Sequence, residues 1–493
     1  MRNDETKDVL RQFDRDIMIY HDAIKLLDYF DFDKLLLEFD TRYKALTLER
    51  PRPSQAKCFN ITYQLLSRKI VSKCVSKYDC VYIFKDKWIK LSDYDITNDI
   101  LKLLCHIVSQ YIDAEKFNKL SNMLQSDMVD LNSNGIIQFN DCYIDNNKIY
   151  EGQYRKSLPD FMLDYSVYDI IDSELEVDAP KEFQELCMHL CQNDETTYNR
   201  FIDDLSMCLS NDQKFNQTNG KMLRLYGPTA ENGKSTLLNH LEGVFTRQNM
   251  MSFNVASLRG YDLEMVTRHL IAFDPEEQDN YWNDEITRNI KTIITSEMIN
   301  VRQIYSKPIK MIPITTLISA TNTMAKSNDK SNGLSRRLDW FYVKEKLEKD
   351  NQWFINLKSD ESIHQTMRYL FYNFINLIRR GSLSPTSDQM EDTKLLFNES
   401  NNSALAFINS TDLNDIKNRT VNYVWELYTN YCIDEDYNQL GRQNFNLTVE
   451  TELKLSRKTI RAEKLVELTD DGKDLFLEAL SNDEKKNVKA WLE

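Results

Sequence analysis

Lys234, Ser235 and Thr236 follow Gly233 directly and precede Leu237, Leu238 and Leu241, an apolar set at helical spacing. Ahead of them, Met222, Leu223 and Leu225 with Tyr226 read as a short buried strand. Residues 227–233 read as a turn built from Gly, Pro and Asn. Strand, glycine turn, Gly-Lys-Ser and helix make a phosphate-binding loop. Its backbone N–H groups and the positive end of its helix hold phosphate oxygens. Lys234 reaches the β- and γ-phosphates of ATP, and Ser235 offers a hydroxyl to Mg²⁺ with Thr236 beside it. Gly227, Asn232 and Gly233 shape the turn. The usual spacing puts the first glycine where this chain has Pro228, one residue after Gly227. Either the loop is one residue longer or the first glycine's role is lost.

A second strand, residues 269–273, runs into Asp274-Pro275-Glu276-Glu277. An apolar strand that delivers acids downstream of a phosphate loop supplies the other half of a nucleotide hydrolase. Asp274 would hold Mg²⁺ and Glu276 would orient or deprotonate the attacking water, with Glu277 competing for that role. A helix over 286–294 follows, then a hairpin over 301–311 whose turn carries Lys307 and Pro308. A third strand, 315–321, ends at Asn322, where a polar side chain would sense a γ-phosphate. Arg336 and Arg337 precede a further strand at 340–343; they are either solvated surface or groups that reach a phosphate in a neighbouring subunit.

The elements around this site come from a chain of 493 residues, long enough for several domains. A hydrophobic share of 41% suits a globular protein, and only 11 Gly and 9 Pro leave little room for long flexible linkers. Lys+Arg 62 against Asp+Glu 77 gives −15, which argues against a wholly basic surface but leaves room for a basic channel or patch. No signal peptide or membrane span is read, and the nine cysteines lack a Cys-x-x-Cys pair; a cytoplasmic, reduced setting without a membrane partner is expected. Cys187, His189 and Cys191 are read as helix residues with buried thiols rather than as zinc ligands.

Residues 1–50 have helical apolar spacing, and Asp31 and Asp33 read as a solvated helix face rather than a primase carboxylate pair. Pro51 and Pro53 mark a boundary. Helix is expected over 60–75 and 95–125, a β-hairpin over 80–91, and another over 136–150 with its turn at Asn146-Asn147. Residues 180–210 read as helix and 211–220 as a loop. Near the C-terminus, residues 421–432 read as a helix and 440–453 as a turn plus a second helix. Arg442, Gln443 and Asn444 start that second helix. Lys454, Arg457, Lys458, Arg461 and Lys464 follow it. Helix, turn, helix and basic hairpin is the layout of a winged helix on duplex DNA, although a basic run is also what an ordinary solvated surface shows. Ser481 and Glu484 form a capping box that opens a last helix in an acidic tail.

In order, the phosphate loop, the acid-ended strand, Ile-Lys-Thr-Ile-Ile-Thr-Ser-Glu, Tyr-Ser-Lys-Pro, Ala-Thr-Asn and Arg-Arg-Leu resemble a superfamily 3 helicase of the phage, plasmid and poxvirus primase–helicase type. The size and style also resemble the replication initiators of staphylococcal pathogenicity islands. The resemblance implies an α/β AAA+ motor flanked by an N-terminal mainly helical domain and a C-terminal winged helix. It implies an ATP-driven hexameric ring that unwinds DNA and binds a replication origin in a bacterial host cell. Through it, Asp274 and Glu276 take the roles of the acidic pair, Asn322 the sensor, and Arg337 the arginine finger with Arg336 in reserve. Lys307 and Lys310 take the role of the hairpin that grips single-stranded DNA in the pore. The expected divisions are a helical extension over 1–60, the helical domain over 61–215, the motor over 216–345, a connector over 346–400 and the winged helix with its tail over 401–493. A bifunctional primase–helicase and an ATP-switched DNA-binding regulator are the alternatives.

Overall fold

The computed structural model describes the backbone of residues 41, 70–74, 80–84, 88–93, 129–130, 135–154, 159–172, 176–260, 262–277, 281–301, 309–327, 332–468 and 487–493. The expectations for residues 1–60 (residue 41 aside), for 95–125, and for Lys307, Ser481 and Glu484 lie outside them.

The element that positions everything else is a parallel sheet. Its strands are β1 (Met222–Tyr226), β2 (Met250–Ser252), β3 (Ile271–Glu277), β4 (Thr316–Thr321) and β5 (Leu338–Tyr342), in the order β2-β3-β4-β1-β5. Strands buried on both faces read as continuous apolar runs, and these do. Leu223, Leu225, Ile271, Ile318 and Phe341 face one core; Met222, Ala272, Leu317, Leu338 and Trp340 face the other. The first core is filled from α1 (Lys181–Leu190), α2 (Glu195–Ser206), α3 (Lys234–Asn249), α5 (Asp360–Arg380) and, through Met390, α6 (Asp388–Asn401). The second core takes Ile286, Ile290, Ile293 and Ile294 from α4 (Asp284–Ile294), a helix with a clean apolar stripe and Asn283 capping its start. The acid-bearing strand does not stop at Phe273 but runs on through Glu277.

Upstream of this sheet the described residues hold two smaller sheets beside α1 and α2. Residues 88–93, 80–84, 70–74 and 129–130 form one four-stranded sheet in that order, and 148–151, 142–145, 137–138 and 161–162 form another. The hairpins over 80–93 and 142–151 match the reading, the second turning at Asn146 and Asn147 with φ of 49° and 58°. Ile70–Cys74 is a strand, however, not the end of a helix: it pairs antiparallel with Cys80–Phe84, and pairing overrides helical spacing. The expected loop at 211–220 contains a helix, Gln213–Asn219, capped by Asp212 through a 2.9 Å bond from the Phe215 N–H.

At the C-terminus, α7 (Ser403–Ser410), α8 (Val421–Asp434) and α9 (Arg442–Leu453) share a core built around Phe407, Tyr428, Phe445 and Trp491. The last helix expected there is a strand where it is described: Asn487–Leu492 pairs antiparallel with Ser456–Arg461. Burial of Trp491 and Ala490 against α8 and its neighbours decides this, and no local hairpin forms from the basic run. Among the described residues no helix is long and apolar enough to cross a membrane.

Candidate functional site

Lys234, Ser235, Asp274, Glu276 and Asn322 lie toward the end of the sheet where its strands finish, whereas Arg336 and Arg337 stand just before β5, where the strands begin. β1 leads into Gly227, whose N–H donates to Thr321 O at 3.1 Å. A Cβ at Gly227 would stand 2.3 Å from Val343 O and 2.7 Å from Asn232 Nδ2, so only glycine fits. Packing against the end of β5 and Asn232 thus requires glycine one residue before Pro228. Asn232 is buried and donates to Thr229 O at 2.7 Å, which shapes the loop from inside. Gly233 has φ of +93° and opens α3 with no side-chain cap, leaving the first-turn N–H groups to an outside acceptor. Ser235 and Thr236 stand in that first turn, Ser235 exposed.

The Lys234 ammonium is buried among oxygens: Gly227 O at 2.8 Å, Thr321 O at 3.3 Å and Asn322 Oδ1 at 2.8 Å. The lysine of the loop and the polar residue that ends β4 are thus in direct contact. Burial pulls the Lys234 ammonium down to about 8. An anionic ligand would offset that cost.

Asp274 and Glu277 on β3 turn inward and Glu276 outward. Asp274 is buried, and its carboxylate accepts from Val255 N at 2.8 Å and Glu276 N at 3.3 Å. Burial, the largest influence, pushes its carboxyl up. A dication held there with the Ser235 hydroxyl would reverse that, so the pair suits Mg²⁺. Glu277 is buried in an ion pair with Arg224 and accepts from Trp282 Nε1 at 3.0 Å, while Glu276 is exposed. Of the two competing carboxylates, Glu276 is the one open to a water. β4 separates β1 from β3, so loop and acids stand two strand spacings apart, roughly 10 Å. That gap admits a terminal phosphate and a water.

Residues 225–337 match a family of unknown function (DUF5906). No curated protein matches the chain. Among solved structures, the chain is similar to the apo structure of the NrS-1 C terminal region (305–718), with 13% identity and a TM-score of 0.47 over 87% of this chain and 98% of that one. It is similar also to an A form of the apo NrS-1 C terminal region, with 12% identity and a TM-score of 0.47 over the same shares.

The remaining candidates are spread more widely. Lys310 is exposed on Ile309–Met311, which pairs antiparallel with Ile299–Val301 and forms the stem of the expected hairpin. Arg336 is exposed; Arg337 is half-buried and donates to Gly333 O at 2.6 Å. On α9, Arg442 lies over the Trp425 ring and bonds Asn422 Oδ1. Gln443 and Asn444 are exposed in its first turn. Lys454 ends α9 with φ of 55°. Lys458 and Arg461 are exposed on Ser456–Arg461, as is Arg457, which pairs with Glu450 at 2.6 Å. Cys187 and Cys191 are buried thiols pushed well up by burial, and no metal-holding cluster occurs among the described residues. The sequence reading missed Arg224; the signal was an arginine inside an otherwise apolar strand.

Proposed function

We propose that this chain is an ATP-driven DNA helicase that assembles into a ring, a hexamer by its resemblance, and initiates replication by binding and opening origin DNA. The observation that carries this reading is the contact between Lys234 and Asn322 at the loop end of a parallel sheet, with Asp274 and Glu276 one strand further on. In the proposed reaction the N–H groups at the start of α3 and the Lys234 ammonium hold the β- and γ-phosphates. Ser235 and Asp274 hold Mg²⁺, which supplies positive charge to the terminal phosphates. Glu276 orients the attacking water and takes its proton. Asn322, tied to Lys234, reports whether the γ-position is filled. Arg337, or the exposed Arg336, would reach the ATP of a neighbouring subunit, which makes a closed ring the natural assembly.

Two further surfaces take DNA in this proposal. Lys307 and Lys310 on the hairpin after α4 hold the single strand in the pore. The C-terminal unit acts as a winged helix, with α9 presenting Arg442, Gln443 and Asn444 to a groove. Lys454, Arg457, Lys458 and Arg461 hold the backbone. The domain divisions at about 60, 215, 345 and 400 belong to the same proposal, as does a cytoplasmic setting in a bacterial host.

Unwinding of a forked duplex tests it. The full chain should separate the strands with ATP and Mg²⁺, and the Lys234→Ala chain should not. ATP turnover without strand separation at any protein concentration would leave the switched-regulator reading; primer synthesis would point to the primase–helicase.

A further inference from the structure

Arg224 is fully buried in β1. Its guanidinium lies between two indoles, 4.7 Å from the Trp282 ring centroid and 4.8 Å from that of Trp340. Its Nη1 pairs with Glu277 on β3 and donates to Ser319 Oγ on β4 at 2.7 Å. No hydrogen bond reaches its Nε or Nη2, so the indole faces bear the rest of the charge. One side chain thus fastens three strands, two of which, β1 and β3, are not neighbours.

The register shows what this fastening achieves. Asp274 stands opposite Ser319 and Glu277 opposite Thr321, three steps on β3 against two on β4. The extra residue is a bulge at Pro275-Glu276, where proline removes the N–H that a ladder would need. In a regular strand Glu276 would share the inward face of Asp274 and Glu277 would point the other way. With the bulge, Asp274 and Glu277 are both buried and Glu276 is exposed. A buried ion pair is a poor device for stability alone, since an apolar pair serves as well. Next to a reactive carboxylate it serves register.

We propose that Arg224 and Glu277 are positioning residues: their buried pair holds the Pro275 bulge and thereby aims Glu276 at the nucleotide. The inference rests on the ATP-hydrolysing reading above. Misplacing a catalytic group by about 1 Å costs on the order of a hundredfold in rate.

The test uses the full chain with four variants: Glu276→Gln, Arg224→Met, Arg224→Lys and the double Arg224→Met/Glu277→Leu. ATP turnover, melting temperature and hydrogen exchange over residues 271–277 are measured for each. Glu276→Gln should lose kcat with KM and melting unchanged. Arg224→Met should lose kcat about a hundredfold with KM within about twofold, because residues 227–236 hold the nucleotide. Arg224→Lys, which keeps the charge, should recover part of kcat. The double variant should regain the melting temperature lost in Arg224→Met, having no orphaned charge, yet keep the low kcat. An active Glu276→Gln, or a double variant that regains kcat together with stability, overturns the proposal. If the unmodified chain turns over no ATP, the parent reading fails; hydrogen exchange then decides the clamp alone. Faster exchange at 271–277 in Arg224→Met supports it, and unchanged exchange overturns it.

Discussion

Where the strands of the parallel sheet begin, Arg200 on α2 is buried against Asp339 of β5, with Nε to Oδ2 at 2.6 Å, and lies 3.6 Å from Asp204. Its Nη1 donates to Ser384 O, and Asp203 beside it accepts from Ser384 N and pairs with Arg380. Burial, and after it the neighbouring Asp339, pushes the Asp204 carboxyl well up, and Arg200 lies against both carboxyls. Where the same strands finish, Lys234 has only neutral oxygens for partners, and burial disfavours the charge of both Lys234 and Asp274. One end of the sheet is a fastening, and the other is the end that the proposed function makes a receptor. In open α/β sheets ligands bind at the carboxyl ends of strands, and the contrast gives that rule a local physical form: charge without a charged partner is what invites a charged ligand.

Four measurements tell the two ends of the sheet apart. Arg200→Met should leave Asp339 buried without its partner and cost roughly 3–5 kcal/mol of stability, read from urea unfolding, with turnover per folded molecule unchanged. Lys234→Ala should do the reverse: turnover falls by about 10²–10³ or more, and the melting temperature stays within about 2 °C. The third concerns pH. As the pH rises through about 8, the Lys234 ammonium of the free protein loses its proton. ATP affinity should therefore weaken above that point, by up to about tenfold per unit, and Lys234→Ala should lack the effect. The same group binds its proton more weakly folded than unfolded, where its ordinary value is 10.5. Its contribution to stability therefore rises with pH between about 8 and 10.5 while affinity falls. The smallest effect is expected for Asp204→Asn. Burial and Asp339 push that carboxyl toward its neutral form, so the change should cost less than about 1 kcal/mol; a loss near that of Arg200→Met would show that Asp204 is ionised and paired.

What was legible in the sequence was local. Strand, glycine turn and helix lie within about thirty residues, and their apolar spacing and the Gly-Lys-Ser run are enough to find Lys234, Ser235 and the turn. The hairpin at Asn146-Asn147 announces itself through residues that tolerate positive φ. What depended on partners far along the chain was not legible. The contact between Lys234 and Asn322 exists only because β4 lies between β1 and β3. The choice between Glu276 and Glu277 could not be made from spacing, because the bulge that inverts the alternation is held by Arg224, about fifty residues upstream. The strand Asn487–Leu492 read as helix because its partner, Ser456–Arg461, is some thirty residues away. Asp212 caps the helix Gln213–Asn219, but the polar residues around it carry the stronger loop signal.

The proposed function requires a nucleotide held by Lys234 where the strands of the sheet finish. Calorimetric titration of the full chain with ATP and Mg²⁺ below pH 8, beside the Lys234→Ala chain, tests this most directly. One nucleotide bound per chain, with affinity lost in the variant and the fold intact by its melting curve, is the predicted result. Equal binding by both chains, or none by either, would contradict it.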